Sequence, residues 1–181
     1  MKGREEALRL LTTADEIFTA QEVRAAVERM AGDITRKLKD EFPIVLSVMG
    51  GAAVFTGQLL PQLTFPLEFG AIEVTRYNND IQGREITWRL APRDNVRGRT
   101  VLVVDDILDE GITLAAIRKK LTEMGARKFY SAVFADKDLK REKPVTADFV
   151  GITVPNRYVF GFGMDAYGLW RNLPAIYMLK Q

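Results

Sequence analysis

The chain has 181 residues, 47% of them hydrophobic, which is enough to bury one substantial core but short for two full domains. Its 26 Lys and Arg nearly cancel 24 Asp and Glu, and the formal charge of +2 excludes bulk electrostatics as the grip on a polyanion such as nucleic acid. With no cysteine and no histidine, disulfides, thiolate chemistry and imidazole bases or ligands are excluded; the carboxylates, hydroxyls, amides, Lys, Arg and Tyr that remain suit a hard cation such as magnesium. Met1 to Glu6 is charged, without the apolar core of a signal peptide, and no apolar run approaches membrane-spanning length. A cytoplasmic protein with no membrane partner is expected.

In chain order, Thr19-Ala20-Gln21-Glu22 reads as a capping box. Behind it Val23, Val27, Met30, Ile34 and Leu38 recur at helical spacing, so an amphipathic helix is expected, ending before Pro43. Ile44 to Val48 is a short apolar strand that ends in Gly50-Gly51, and a helix carrying Val54, Gln58 and Leu59 follows it and stops near Pro61. Leu67 to Val74 predicts another strand. The polar, unperiodic stretch Thr75 to Gly83 predicts a mobile excursion before alternation resumes at Ile86 to Leu90. Thr100 to Val104 reads as a strand buried on both faces and therefore central. Asp105 to Thr113 predicts a loop, and Leu114, Ile117, Leu121 and Met124 mark one face of a helix closed by Gly125. Phe129 to Ala135, Phe149 to Val154 and Ile176 to Leu179 are further strands. This alternation predicts an α/β fold with a mostly parallel, twisted sheet flanked by helices and right-handed crossovers.

In an open α/β sheet, ligands bind beyond the carboxyl ends of the strands, so the segment Asp105-Asp106-Ile107-Leu108-Asp109-Glu110-Gly111-Ile112-Thr113 is the place to seek a site. Carboxylates at its start can accept hydroxyls or hold a cation, and the glycine and threonine open a helix whose first amides can receive a phosphate. A sugar phosphate has that polarity. A solvated acidic loop with an ordinary helix start is the alternative reading of the same residues.

The run Val101 to Thr113 resembles the phosphoribosyl pyrophosphate signature of type I phosphoribosyltransferases. Val48-Met49-Gly50-Gly51-Ala52, Arg76-Tyr77, Asp136-Lys137, Ala147 to Gly151 and Tyr158 to Asp165 stand in the order seen in hypoxanthine-guanine phosphoribosyltransferases, and the resemblance spans roughly residues 40 to 180. It implies one phosphoribosyltransferase domain over residues 1–181. The core would cover about 20–150, and a small base-binding hood would be built from about 150–181 with part of the N terminus.

The resemblance also implies roles. Asp105 and Asp106 would face the ribose hydroxyls and magnesium, and Asp109 would lie beside N7 of the purine. With Asp109, the residues Glu110, Gly111, Ile112 and Thr113 would cradle the 5-phosphate, Glu110 through its amide; Ile112 stands where relatives are often polar. Met49 and Gly50 would meet pyrophosphate at a cis peptide between Val48 and Met49, although many relatives carry Lys at the position of Met49. Arg76, commonly serine, and Tyr77 would belong to a lid that excludes water, with Arg76 and Arg171 toward the pyrophosphate. Asp165 would hold a second magnesium through water and would also count among the purine-binding residues. Lys137 would donate to O6 of a 6-oxopurine, a contact that adenine cannot accept, while Tyr158 stacks on the base and the Val159 backbone reads its edge. A homodimer or homotetramer is implied as well. Without the family, Lys137 reads as part of a solvated charged turn and Tyr158 as a core aromatic. Two readings stay open beside the purine enzyme: a regulator that senses phosphoribosyl pyrophosphate, and a xanthine-preferring transferase.

Overall fold

The computed structural model describes residues 3–77 and 85–180, and the side chains of Arg76, Tyr77 and Glu85 fall outside that description. Helix α1 (Arg4–Thr13) leads into strand β1 (Asp15–Phe18) and helix α2 (Ala20–Leu38). Strand β2 (Ile44–Met49) is followed by helix α3 (Ala53–Leu59), then by β3 (Glu68–Tyr77) and β4 (Glu85–Leu90). Next come β5 (Thr100–Leu108), helix α4 (Ile112–Glu123), β6 (Lys128–Asp138), β7 (Phe149–Pro155), β8 (Val159–Phe160) and β9 (Ile176–Met178).

Six strands form the larger sheet in the order β4-β3-β2-β5-β6-β7. All neighbours are parallel except β3 and β4, so the expected mostly parallel sheet is present with β5 in its interior. Within β5, Val101 to Val104 are unbroken aliphatics because both faces of the strand are covered there. Leu102 and Val104 pack with α2 and α3 around Met30, Ile34, Phe55 and Phe134, while Val101 and Val103 pack with Leu114, Ile117 and Leu121 of α4. The Thr19 capping box forms as its residues predict, and Val23, Val27, Met30, Ile34 and Leu38 are all buried. Phe134 sits 4.4 Å from Phe162 and 5.5 Å from Phe55, ring centre to ring centre, so the C-terminal segment is anchored on the same core.

A second sheet of three antiparallel strands, β1-β9-β8, joins the two ends of the chain. Helix α1 buries none of its residues, but the Trp170 indole donates to the Ala7 carbonyl at 3.0 Å. At the opposite pole Glu41 accepts from Lys128 at 2.5 Å and from Arg127 and Thr100 at 2.9 Å, and so fastens the end of α2 to the starts of β5 and β6.

The structure departs from the sequence reading at the end of β5 and at the end of β3. Asp105 to Leu108 is strand rather than loop, because Asp105, Ile107 and Leu108 pair with Val133, Ala135 and Asp136 of β6. The loop is thereby shortened to Asp109, Glu110 and Gly111. Most of the excursion expected over Thr75 to Gly83 lies outside the described residues, and Thr75, Arg76 and Tyr77 belong to β3.

Candidate active site

Beyond the carboxyl ends of β2, β5 and β6 lies a cleft of about 440 Å³, bordered by Met49, Gly50 and Gly51, by Asp105 to Asp109, by Gly111 and Thr113, and by Asp165 and Arg171. Asp105 is buried, and its Oδ1 accepts the Asp106 amide at 3.0 Å; Asp106 Oδ1 accepts the Ile107 amide at 2.8 Å. Burial pushes the Asp106 carboxyl above the usual carboxylate range, against the hydrogen bonds from Asp105 and Ile107 and the nearby Arg171 guanidinium, all of which favour the charged form.

The approach to Asp106 is built from glycines. A Cβ on Gly51 would stand 1.9 Å from Asp106 Oδ2, and one on Gly163, whose φ is +99°, would stand 2.1 Å from the Gly51 carbonyl. Gly51 is thus sandwiched between the carboxylate and the segment that carries Asp165. Arg171 spans the same gap: Nη2 contacts Asp165 Oδ1 at 2.6 Å, while Nη1 donates to the Gly163 carbonyl at 2.6 Å and lies 3.8 Å from Asp106 Oδ2.

A cis peptide is present at this turn, but between Met49 and Gly50, one bond later than expected at Val48–Met49. Met49 is half-exposed at the cleft edge, with Ser47 Oγ 3.8 Å from its sulfur. Gly111, at φ +81°, turns the chain into α4 and borders the cleft with Thr113. Glu110 and Ile112 are not among the bordering residues, and Glu110 lies 3.5 Å from Arg141. Arg76 and Tyr77 end β3, with side chains outside the described residues.

A second cleft of about 240 Å³ shares Asp106, Ile107, Asp109 and Asp165 with the first and adds Lys137, Tyr158, Val159 and Met164. Lys137 Nζ donates to Asp109 Oδ2 at 2.8 Å, with the lysine side chain only 14% exposed and the aspartate 41%. A solvated charged turn does not describe this lysine. Tyr158, which would read as a core aromatic if taken alone, is 45% exposed and lies parallel to Tyr167, with centroids 5.7 Å apart. Val159 is buried in β8 opposite Met178.

One residue that the sequence did not single out also acts here. Lys143, 10% exposed, donates to the Leu108 carbonyl at 2.8 Å and to Asp136 Oδ1 at 2.5 Å, and so ties the residue before Asp109 to the residue before Lys137. In the sequence it is one charge among Lys140, Arg141 and Glu142, with nothing to mark it.

Among the described residues no group of three or more Asp or Glu is poised to enclose a metal. The adjacent Asp105 and Asp106 nevertheless fit magnesium, which is held by one or two carboxylates together with substrate oxygens and retained waters.

Over residues 13–167 the chain matches the phosphoribosyl transferase domain. It belongs to the phosphoribosyl transferase family. Two curated relatives in the family are similar along almost their whole length. The hypoxanthine-guanine phosphoribosyltransferase of Bacillus subtilis is 30% identical over 165 residues, 91% of this chain and 92% of the relative. The hypoxanthine-guanine-xanthine phosphoribosyltransferase of Tritrichomonas foetus is 31% identical over 166 residues, 91% of each. Among solved phosphoribosyltransferases, a hypoxanthine-guanine enzyme of Bacillus anthracis superposes with a TM-score of 0.83 at 25% identity, covering 92% of this chain and 97% of that one. A point mutant of the Trypanosoma cruzi hypoxanthine enzyme, complexed with the product IMP, gives 0.85 at 27% identity over 93% and 92%.

Proposed function

We propose that the protein is a purine-salvage transferase that moves ribose 5-phosphate from phosphoribosyl pyrophosphate to N9 of hypoxanthine or guanine, giving IMP or GMP and pyrophosphate. The observation that carries this reading is the Lys137–Asp109 pair, 2.8 Å apart, standing where the smaller cleft opens into the larger one. The smaller cleft, with Tyr158 and Ile107, has the apolar faces a purine needs, and the larger has carboxylates, glycine amides and Arg171 for a sugar and its phosphates.

In the reaction the bond from the anomeric carbon to pyrophosphate breaks as the bond to N9 forms. The purine's N7 proton passes to Asp109, which its half-exposed position leaves open to the base. Lys137 has three donors, one of them on Asp109; the others serve O6, so the same ion pair reads the base and orients the proton acceptor. The 5-phosphate lies on the turn Asp109 to Thr113 at the start of α4, where amides and the helix dipole favour an anion. Arg171 and the Met49-Gly50 backbone receive the pyrophosphate, since a guanidinium forks onto phosphate oxygens. Asp105 and Asp106 would hold magnesium, with Asp165 supporting a second ion through water; bound there, the metal supplies positive charge beside the leaving pyrophosphate. Arg76 and Tyr77 would form part of a lid.

Residues 1–181 would act as a single domain. The core would cover about 20–150, and the hood over the base would be built from about 150–181 with part of the N terminus, the region that contains the β1-β9-β8 sheet. The protein would work in the cytoplasm as a homodimer or homotetramer; no helix among the described residues is long and apolar enough to cross a membrane.

Pyrophosphate release tests the reading, with phosphoribosyl pyrophosphate, magnesium and each of hypoxanthine, guanine, xanthine and adenine, in wild type and Asp109→Asn. Turnover of 6-oxopurines but not adenine, much slower in the variant, is the expected result. Binding of phosphoribosyl pyrophosphate with no release for any base would leave a sensor in place of an enzyme.

A further inference from the structure

Between Asp165 and Arg171 the chain makes a tight hairpin. Ala166 and Leu169 exchange backbone hydrogen bonds of 2.8 and 3.0 Å, and the two residues between them, Tyr167 at φ +55° and Gly168 at φ +84°, both lie in the left-handed region. That is the signature of a type I′ turn, whose first central position ordinarily holds Asn, Asp or Gly. A tyrosine is disfavoured there, so a contact elsewhere must hold it in place.

The contact is visible. The Tyr167 ring lies against Tyr158 with centroids 5.7 Å apart and planes at 16°, and the Tyr167 amide points at the Tyr158 hydroxyl at 3.4 Å. Tyr158 borders the smaller cleft and Tyr167 does not. The turn is anchored from the other side as well: Asp165 Oδ2 accepts the Gly168 amide at 2.7 Å while Oδ1 holds Arg171 at 2.6 Å.

We infer that Tyr167 is a positioning residue for the purine, stacked behind Tyr158 so that the half-exposed ring is held flat against the base. The inference rests on the purine site proposed above. Without its backing, Tyr158 would have rotamer freedom to lose on each binding event, and base affinity would fall while the phosphate end of the site stayed as it is.

Two substitutions separate the ring from the turn. Tyr167→Asn keeps a residue at home in the left-handed region and removes the ring; Tyr167→Phe keeps the ring. Steady-state kinetics should show KM for hypoxanthine and guanine raised about 3- to 10-fold in Tyr167→Asn, the range expected for losing an aromatic pair. The kcat and the KM for phosphoribosyl pyrophosphate should stay within about twofold of wild type, and Tyr167→Phe should restore the base KM. An unchanged base KM in Tyr167→Asn would overturn the inference, as would an equal rise in both KM values or failure of Tyr167→Phe to restore. If wild type itself turns over no purine, the proposed function fails first and the inference with it.

Discussion

Lys137 and Asp109 come from neighbouring strand ends, one inside β6 and the other just past β5, and meet at 2.8 Å with the lysine almost wholly covered. A covered ammonium needs its carboxylate, and a partly exposed carboxylate beside it is free to face a ligand. Replacing Lys137 by Gln should therefore cut kcat/KM for hypoxanthine by about 10- to 100-fold, the value of a charged hydrogen bond, and shrink the preference over adenine by a similar factor. Asp109→Asn should lower kcat by about 10²- to 10³-fold through loss of the proton acceptor. Competition between hypoxanthine and adenine in one assay reads the first effect, and single-turnover rates read the second.

Gly51 is expected to tolerate nothing larger. In Gly51→Ala the new methyl would overlap the Asp106 carboxylate, so the β2–α3 turn or the carboxylate must move, with a drop of at least about tenfold in activity and a lower Tm. Gly57, inside α3 with open space where a Cβ would go, gives the opposite control: Gly57→Ala should raise stability by about 0.5 to 1 kcal/mol through helix propensity. Thermal melts of the two variants beside wild type make the comparison.

Arg171 bridges Asp165 and reaches toward Asp106 with a planar fork that lysine cannot reproduce. Arg171→Lys should raise KM for phosphoribosyl pyrophosphate and for pyrophosphate in the reverse direction by about tenfold, and leave the KM for the base within about twofold. Initial rates in both directions measure this. An equal rise for the base would place Arg171 at the wrong end of the site.

The pole opposite the site should respond to acid. Hydrogen bonds from Lys128 and Thr100, with the charges of Lys128 and Arg127, hold the Glu41 carboxyl below its ordinary 4.5, and the hydrogen bond from Arg99 does the same for Glu68. A carboxyl whose pKa is depressed on folding contributes stability that is fully present above its unfolded value and is lost as pH falls through the folded value. Glu41→Gln should therefore have a lower Tm than wild type at neutral pH, with the two melting curves converging as the pH falls through the depressed pKa of the folded carboxyl. A gap that persists in acid would show that packing, rather than charge, fastens this corner.

Much of the architecture follows from local chemistry. The Thr19–Glu22 capping box and the 3.6-residue spacing behind it require a helix wherever α2 packs. The aliphatic run Val101 to Val104 in β5 requires a strand covered on both faces, and Gly111 and Gly125 bracket α4 because each of those positions has a positive φ. The acidic run after β5 marks where the site must be, since ligands in such sheets bind at the strand ends.

Tertiary structure decided the rest, because the deciding forces act between residues far apart in sequence. β1 exists as a strand only because β9, some 160 residues later, supplies its partner. Asp105 to Leu108 extend β5 because β6 offers them a ladder, and a sequence of carboxylates gives no hint of that pairing. The same holds for single side chains. Lys143 becomes a tie between β5 and β6, and Tyr167 a backing for Tyr158, through approaches that no local pattern encodes. Periodicity, caps and turn residues record what each segment does alone, so they determined α2, α3 and α4, the central strand and the position of the site. Which side chains meet there is set by how those segments pack, and only the folded structure contains that information.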